Sequence, residues 1–205
     1  MADLFDPATI PEEPVTDRPL SDFYATPESY TTALLGARDF GGRRVWEPAC
    51  GLGHIAGVLK ACGLSVLASD IEDTGYGLGG VDFLWQRRLI APIVLTNPPY
   101  RDELPLQFAI HAMELGAAEC WLLCRAAWWE APGRFRQLRA LPLRHIWVVN
   151  CRQSMWPAGR VPHGKEKSTF PYYHAWYGFI ADERFGPELD VIDPRPELLE
   201  DRLPL

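Results

Sequence analysis

The apolar run Ile93-Val94-Leu95-Thr96 stops at Asn97-Pro98-Pro99-Tyr100, and this junction constrains the chain more than any other feature. Four such residues in a row read as a short buried strand. Two adjacent prolines forbid a helix and fix the local backbone, so nearby carbonyls point in set directions. An amide side chain and an aromatic ring therefore sit where a buried strand ends. In open α/β sheets that edge is where ligands bind. The Asn97 oxygen and a backbone carbonyl can together accept both hydrogens of a planar NH2 group, and Tyr100 can stack on the ring that carries it. A plain turn after a strand is the alternative, since Pro and Asn are ordinary turn residues.

Upstream, Arg44-Val45-Trp46-Glu47-Pro48-Ala49-Cys50-Gly51-Leu52-Gly53-His54 reads as strand, glycine turn, then helix. Gly51 and Gly53 allow close approach of backbone to a ligand. The helix from Ile55 to about Ala61 offers its N-terminus to polar or anionic groups. A second apolar run, Leu64 to Ala68, ends at Ser69-Asp70. A carboxylate about twenty positions beyond a glycine turn suits the two hydroxyls of a ribose. The dinucleotide fingerprint wants a third glycine where this chain has Ala56, so the glycines alone are weak evidence for a nicotinamide cofactor. Val81-Asp82-Phe83-Leu84 supplies a further carboxylate and ring, suited to the amine and face of an adenine.

The order Phe23-Tyr24-Ala25-Thr26-Pro27, Glu47-Pro48-Ala49-Cys50-Gly51-Leu52-Gly53, Ser69-Asp70-Ile71, Asp82-Phe83-Leu84, Asn97-Pro98-Pro99-Tyr100 resembles the S-adenosylmethionine (SAM)-dependent adenine-N6 methyltransferases. The Thr-Pro element ahead of the glycine turn matches their gamma arrangement. The resemblance covers residues 21–125 well and 140–182 loosely. It implies a Rossmann-like class I fold: a doubly wound, mostly parallel sheet with an antiparallel last strand. It implies SAM as cofactor, with the methionine end near Gly51 and Gly53, beside Glu47 and Pro48. Asp70, with Ile71, would serve the ribose. Asp82 would accept from the cofactor's adenine amine, and Phe83 would offer its backbone amide or pack on the ring. Tyr24, Thr26 and Pro27 would close over the methionyl part. Asn97, Pro98, Pro99 and Tyr100 would form the catalytic pocket for an adenine of nucleic acid, DNA in preference to RNA. Methylases of glutamine side chains and of RNA adenines share Asn-Pro-Pro-Tyr, so both stay open, as does a non-catalytic SAM-fold binding module. Many DNA-modifying relatives carry a separate target-recognition domain, for which this chain has no room.

Net charge is −7, which at first opposes a nucleic-acid partner. Its distribution reverses the inference. Residues 1–20 hold five acids and one base, and residues 182–205 hold eight acids and three bases. Residues 125–181 hold nine Arg or Lys against Glu130 and Glu166 alone. Trp128, Trp129, Trp147, Trp156, Phe170, Tyr172 and Tyr173 are interleaved with those bases. A basic, aromatic half suits a phosphate backbone and an extruded base; a solvated face over a Trp-rich core is the alternative. Arg152, Arg160, Lys165 and Lys167 are the candidate phosphate contacts, and Trp156 and Phe170 the candidate stacking rings.

A chain of 205 residues suits a single compact domain over 21–182, between acidic, Pro-rich tails at 1–20 and 183–205 that read as mobile. Helices are expected at 28–37, 55–61, 104–116 and near 133–139. Strands are expected at 44–48, 64–69, 92–96, 119–125, 144–150 and 173–180, the last closing the sheet. Residues 151–170 read as a long loop. No apolar stretch approaches membrane-spanning length, and no basic, hydrophobic leader opens the chain, so a cytoplasmic protein is expected. The five cysteines include no Cys-x-x-Cys pair, which argues against disulfides and a metal site. Nothing in the pattern specifies an oligomeric state. No histidine belongs to a catalytic constellation, although His163 and His174 flank the long loop and its strand. Methyl transfer from a sulfonium needs little acid–base help.

Overall fold

The computed structural model describes residues 25–151 and 172–194. Its helices are α1 (Glu28–Ala37), α2 (His54–Ala61), α3 (Leu104–Glu114) and α4 (Pro132–Leu138). Its strands are β1 (Val45–Glu47), β2 (Val66–Ala68), β3 (Ile93–Thr96), β4 (Glu119–Arg125), β5 (Leu143–Val149), β6 (His174–Ile180) and β7 (Glu188–Ile192). Short 3-10 turns cover Phe83–Trp85 and Ala126–Glu130. One seven-stranded sheet has the order β2-β1-β3-β4-β6-β5-β7. Every neighbouring pair is parallel except those made by β6, which runs against β4 and β5.

Central strands are buried on both faces, which is why β1, β3, β4 and β6 read as near-continuous apolar runs. One face packs Trp46, Val94, Leu122, Cys124 and Tyr177 against Leu106, Phe108 and Ala109 of α3. The other packs Val45, Ile93, Leu95, Trp121, Leu123 and Trp176 against Tyr30 and Leu34 of α1 and Ile55 and Leu59 of α2. Gly178 makes room for this arrangement: a Cβ there would lie 2.7 Å from the Trp121 indole.

Two expectations are corrected. The sheet does not close at Ile180, because β7 adds a strand beside β5. It lies within the stretch assigned to an acidic tail, so the ordered domain extends at least to residue 194. Composition hid it: β7 is an edge strand, and Glu188, Leu189, Asp190 and Val191 are all exposed. The antiparallel strand is consequently β6, the sixth of seven. The acids after 182 are also not separate from the basic half. Arg144 pairs with Glu183 at 2.8 Å and with Glu188 at 2.5 Å.

The chain leaves β1 toward β2 on one side and returns as β3 on the other. This reversal opens a crevice at the carboxyl ends of β1 and β3. The glycine turn follows β1, and Asn97 follows β3, so topology alone puts them side by side.

Candidate active site

Asn97 stands at the carboxyl end of β3 and is held from two sides. Its Nδ2 donates to Thr26 Oγ1 at 3.0 Å. Its Oδ1 accepts from the Tyr100 hydroxyl at 2.7 Å. Both partners are hydroxyls, which donate or accept as needed, so Thr26 and Tyr100 hold the amide in place from two sides. Tyr100 Oη also lies 3.3 Å from Leu123 O on β4. Pro98 is buried and Pro99 half-buried. Pro27 is the residue that enters α1.

His174 backs the pocket. Its ring lies nearly parallel to Tyr100, 24° off plane with centroids 6.4 Å apart, and meets Tyr30 edge-on at 5.6 Å. Burial, with the nearby Arg125 charge, pushes its pKa down to about 4. The imidazole is therefore neutral at physiological pH. An unfolded chain binds that proton near pH 6.5, so stability should fall as pH drops from 6.5 toward 4. The loss should be on the order of 3 kcal/mol. Denaturant unfolding across that window should show the slope, and His174→Gln should flatten it.

The glycine turn is built by side chains the sequence did not reveal. Gly51 and Gly53 both have positive φ, at 50° and 81°. A Cβ on Gly53 would sit 2.3 Å from the Tyr76 ring, so Tyr76 itself makes the close approach that Gly53 permits. Thr74 Oγ1 donates to Gly51 O at 2.6 Å, and Lys60 Nζ donates to Tyr76 Oη at 3.2 Å. The run Thr74-Gly75-Tyr76-Gly77 reads as a plain turn, and only the folded packing shows what it covers. Glu47 is 1% exposed and accepts the Ala56 N–H at 2.8 Å, taking the N-terminal end of α2 for an internal carboxylate. Burial holds its pKa well above the usual carboxylate range. Pro48 is buried beside it.

Asp70 follows β2 and accepts from Gly51 N at 2.7 Å and Glu72 N at 3.0 Å. Burial raises its pKa, while the backbone N–H groups of Glu72, Gly51 and Ile71 oppose the rise. Ile71 is half-buried. Asp82 caps the 3-10 turn, accepting from Leu84 N at 3.0 Å. The Phe83 side chain is not available to a ligand. It is 2% exposed and packs among Trp46, Phe108 and His111 at centroid distances of 5.0, 4.8 and 5.0 Å. Of the two roles expected for Phe83, the ring contact is thus corrected, because the core claims the ring.

The structure brings together Thr26, Pro27, Glu47, Pro48, Gly51, Gly53, Asp70 and Asn97 to Tyr100 around one crevice. Tyr24, Arg152, Trp156, Arg160, Lys165, Lys167 and Phe170 lie outside the described residues, and so does His163. Among the described residues, no cluster of His, Cys, Asp or Glu could hold a metal ion, and no helix is long and apolar enough to cross a membrane.

No protein-family model matches this chain, and no curated protein does. Solved structures do match. A Pyrococcus horikoshii protein assigned as an RNA methyltransferase superposes with a TM-score of 0.57 at 14% identity, over 87% of this chain and 94% of that one. A Thermoplasma acidophilum protein gives 0.52 at 17% identity, over 74% and 85%. The fold is that of the Rossmann-like methyltransferases. A modification subunit assigned to a type I restriction enzyme of Vibrio vulnificus gives 0.53 at 12% identity, over 90% of this chain. This chain spans about half of that subunit, at 54%.

Proposed function

We propose that the chain is a SAM-dependent methyltransferase acting on the exocyclic N6 of adenine in nucleic acid, DNA in preference to RNA. The observation that carries this reading is the Asn97 amide, held by Thr26 and Tyr100 at the carboxyl end of β3. The fold it shares with an RNA methyltransferase and a restriction-modification subunit is consistent with that substrate class.

The residues of the crevice fit SAM better than a dinucleotide. A pyrophosphate needs a bare helix N-terminus. Here Glu47 already takes an N–H of α2 and Tyr76 covers Gly53. Asp70 sets a carboxylate against the Gly51 N–H of the turn, which suits a ligand that brings hydroxyls and positive charge rather than phosphate. Asp70 spends part of its acceptor capacity on backbone and keeps the rest for ribose hydroxyls. Asp82 is assigned to the adenine amine, with the Phe83 backbone rather than its ring beside it.

Bound SAM supplies an already activated methyl group. The chain's own residues do the rest. Tyr100 stacks on the target adenine, which leaves its helix or arrives unpaired. Asn97 Oδ1 and the Pro98 carbonyl accept from the two N6 hydrogens. As N6 goes from planar to tetrahedral, those bonds strengthen and the lone pair turns toward the methyl carbon. With the cofactor bound, N6 would take the methyl group as the donor's carbon–sulfur bond breaks, and the proton leaving N6 would pass to water.

The deciding experiment offers tritiated SAM with double-stranded DNA, single-stranded DNA, RNA and protein extract in parallel. Label in N6-methyladenine supports the reading. Label in protein glutamine moves the substrate to a side-chain amide, and label in none removes the catalytic assignment.

Asp70→Ala should weaken SAM binding by about 1–3 kcal/mol, the scale of losing hydrogen bonds to a charged group. It also strips acceptors from Gly51 and Glu72, so Asp70→Asn, which keeps one acceptor oxygen, should lose less. Calorimetry giving wild-type affinity in both variants would remove Asp70 from the cofactor site.

A further inference from the structure

Two of the five basic side chains described in residues 125–151 are held by acids, and a third, Arg139, lies over the Phe185 ring. Arg134 pairs with Glu103, and Arg144 with Glu183 and Glu188. Arg125 differs. It is exposed at the carboxyl end of β4, and among the described residues no acid pairs with it. Its guanidinium lies over the Tyr172 ring, 4.6 Å from the centroid. Tyr172 is 48% exposed and Tyr173 40%.

This cation and these rings are held beside the pocket by the sheet. Arg125 pairs with His174 in the β4–β6 ladder, and Ala126 N donates to Tyr173 O at 2.9 Å. His174 is the ring that backs Tyr100, and Leu123, two residues before Arg125, offers its carbonyl to the Tyr100 hydroxyl. The Arg125–Tyr172 pair is thus tied through His174 and Leu123 to the place assigned to the target base.

We propose that Arg125 and Tyr172 form a stacking platform for the nucleotide next to the target in an unpaired strand. This rests on the adenine-N6 reading and narrows its substrate to single-stranded or locally opened nucleic acid. A guanidinium laid on a ring presents a flat surface for a base and a charge for the adjoining phosphate. A base within an intact duplex is stacked on both faces and cannot use it. Stacking reads a π-face rather than base edges, so the preference is for open strands over sequence.

The test is the Michaelis constant of the full chain for a short single strand bearing one internal adenine, and for the same strand annealed to its complement. Wild type should favour the single strand. Tyr172→Ala should raise its KM about tenfold with kcat at saturation retained, while Tyr172→Phe stays within about twofold of wild type. Arg125→Ala should raise KM and flatten its salt dependence. SAM affinity should not move in any of them. If adenine is methylated but both alanine variants keep the wild-type KM, the platform is overturned and the adenine reading stands. If wild type methylates glutamine peptides and no adenine, both are overturned together.

Discussion

Asn97→Ala is expected to lower kcat by about 10²–10³-fold while SAM binding stays near wild type, the scale of removing one positioned transition-state hydrogen-bonding group. The asymmetry follows from where the amide points. Its nitrogen donates to Thr26 and its oxygen accepts from Tyr100, and the same oxygen is assigned the hydrogen bond from N6. That bond strengthens only as N6 becomes tetrahedral, so its loss falls on the transition state rather than on binding. Asn97→Asp should retain more activity than alanine. A carboxylate keeps both acceptor positions, and the Thr26 hydroxyl can rotate to donate where it now accepts. Tyr100→Ala should lose turnover and base binding together. Tyr100→Phe should keep the stack and lose about tenfold in kcat, the worth of the hydrogen bond that aims Asn97 Oδ1. Single-turnover rates at saturating substrate, set beside SAM affinity by calorimetry, check the series. Equal loss of kcat and of SAM affinity in Asn97→Ala would make the residue a cofactor ligand instead.

The parts of this protein legible in the sequence are those whose cause is local or periodic. Strands β1, β3 and β4 announce themselves because a parallel sheet covered on both faces demands unbroken apolar runs. Proline at position 27 and glycines at 51 and 53 mark turns for reasons a single residue carries. Strand β7 was hidden although Glu188-Leu189-Asp190-Val191-Ile192 does alternate. An exposed edge strand needs few apolar residues, and the acids and prolines around it dominate any composition window. The supports of the candidate site were invisible for a different reason. The Thr26–Asn97 bond joins residues 71 apart, and the Tyr100–His174 and Gly53–Tyr76 contacts exist only once strands are ordered. Sequence placed the groups assigned to ligands; packing revealed the groups that hold them. Phe83 shows the converse hazard. A ring beside a ligand-facing carboxylate looks like a stacking surface until the core is seen to need it.

At the opposite, amino-terminal end of the parallel strands, Glu119→Ala is expected to cost about 3 kcal/mol and to lower Tm by about 6–12 °C. Glu119 opens β4 at 2% exposure. It accepts from Arg38 Nη2 at 2.7 Å and Nε at 3.2 Å, from Trp121 Nε1 at 2.8 Å, and from Arg43. The alanine variant leaves the buried Trp121 N–H unsatisfied. Both arginines are about one-third exposed and can regain water, which holds the cost to the lower end of the range for broken buried pairs. Glu119→Gln keeps an acceptor for Trp121 and should lose about half as much. The pH dependence has a definite sign. Burial alone would raise this carboxyl, but the hydrogen bonds from Arg38, Trp121 and Arg43 together hold it below the ordinary carboxylate range. A depressed acid stabilises above its unfolded pKa and loses that contribution as pH falls through the folded value. Wild type should therefore lose stability more steeply than Glu119→Gln below about pH 4.5, and their curves should converge in acid. Turnover per folded molecule should be untouched, since Glu119 and Asn97 lie at opposite ends of the strands. A Tm for Glu119→Ala equal to wild type would mean that the two arginines and the indole find other acceptors, and that this end is not what holds α1 to the sheet.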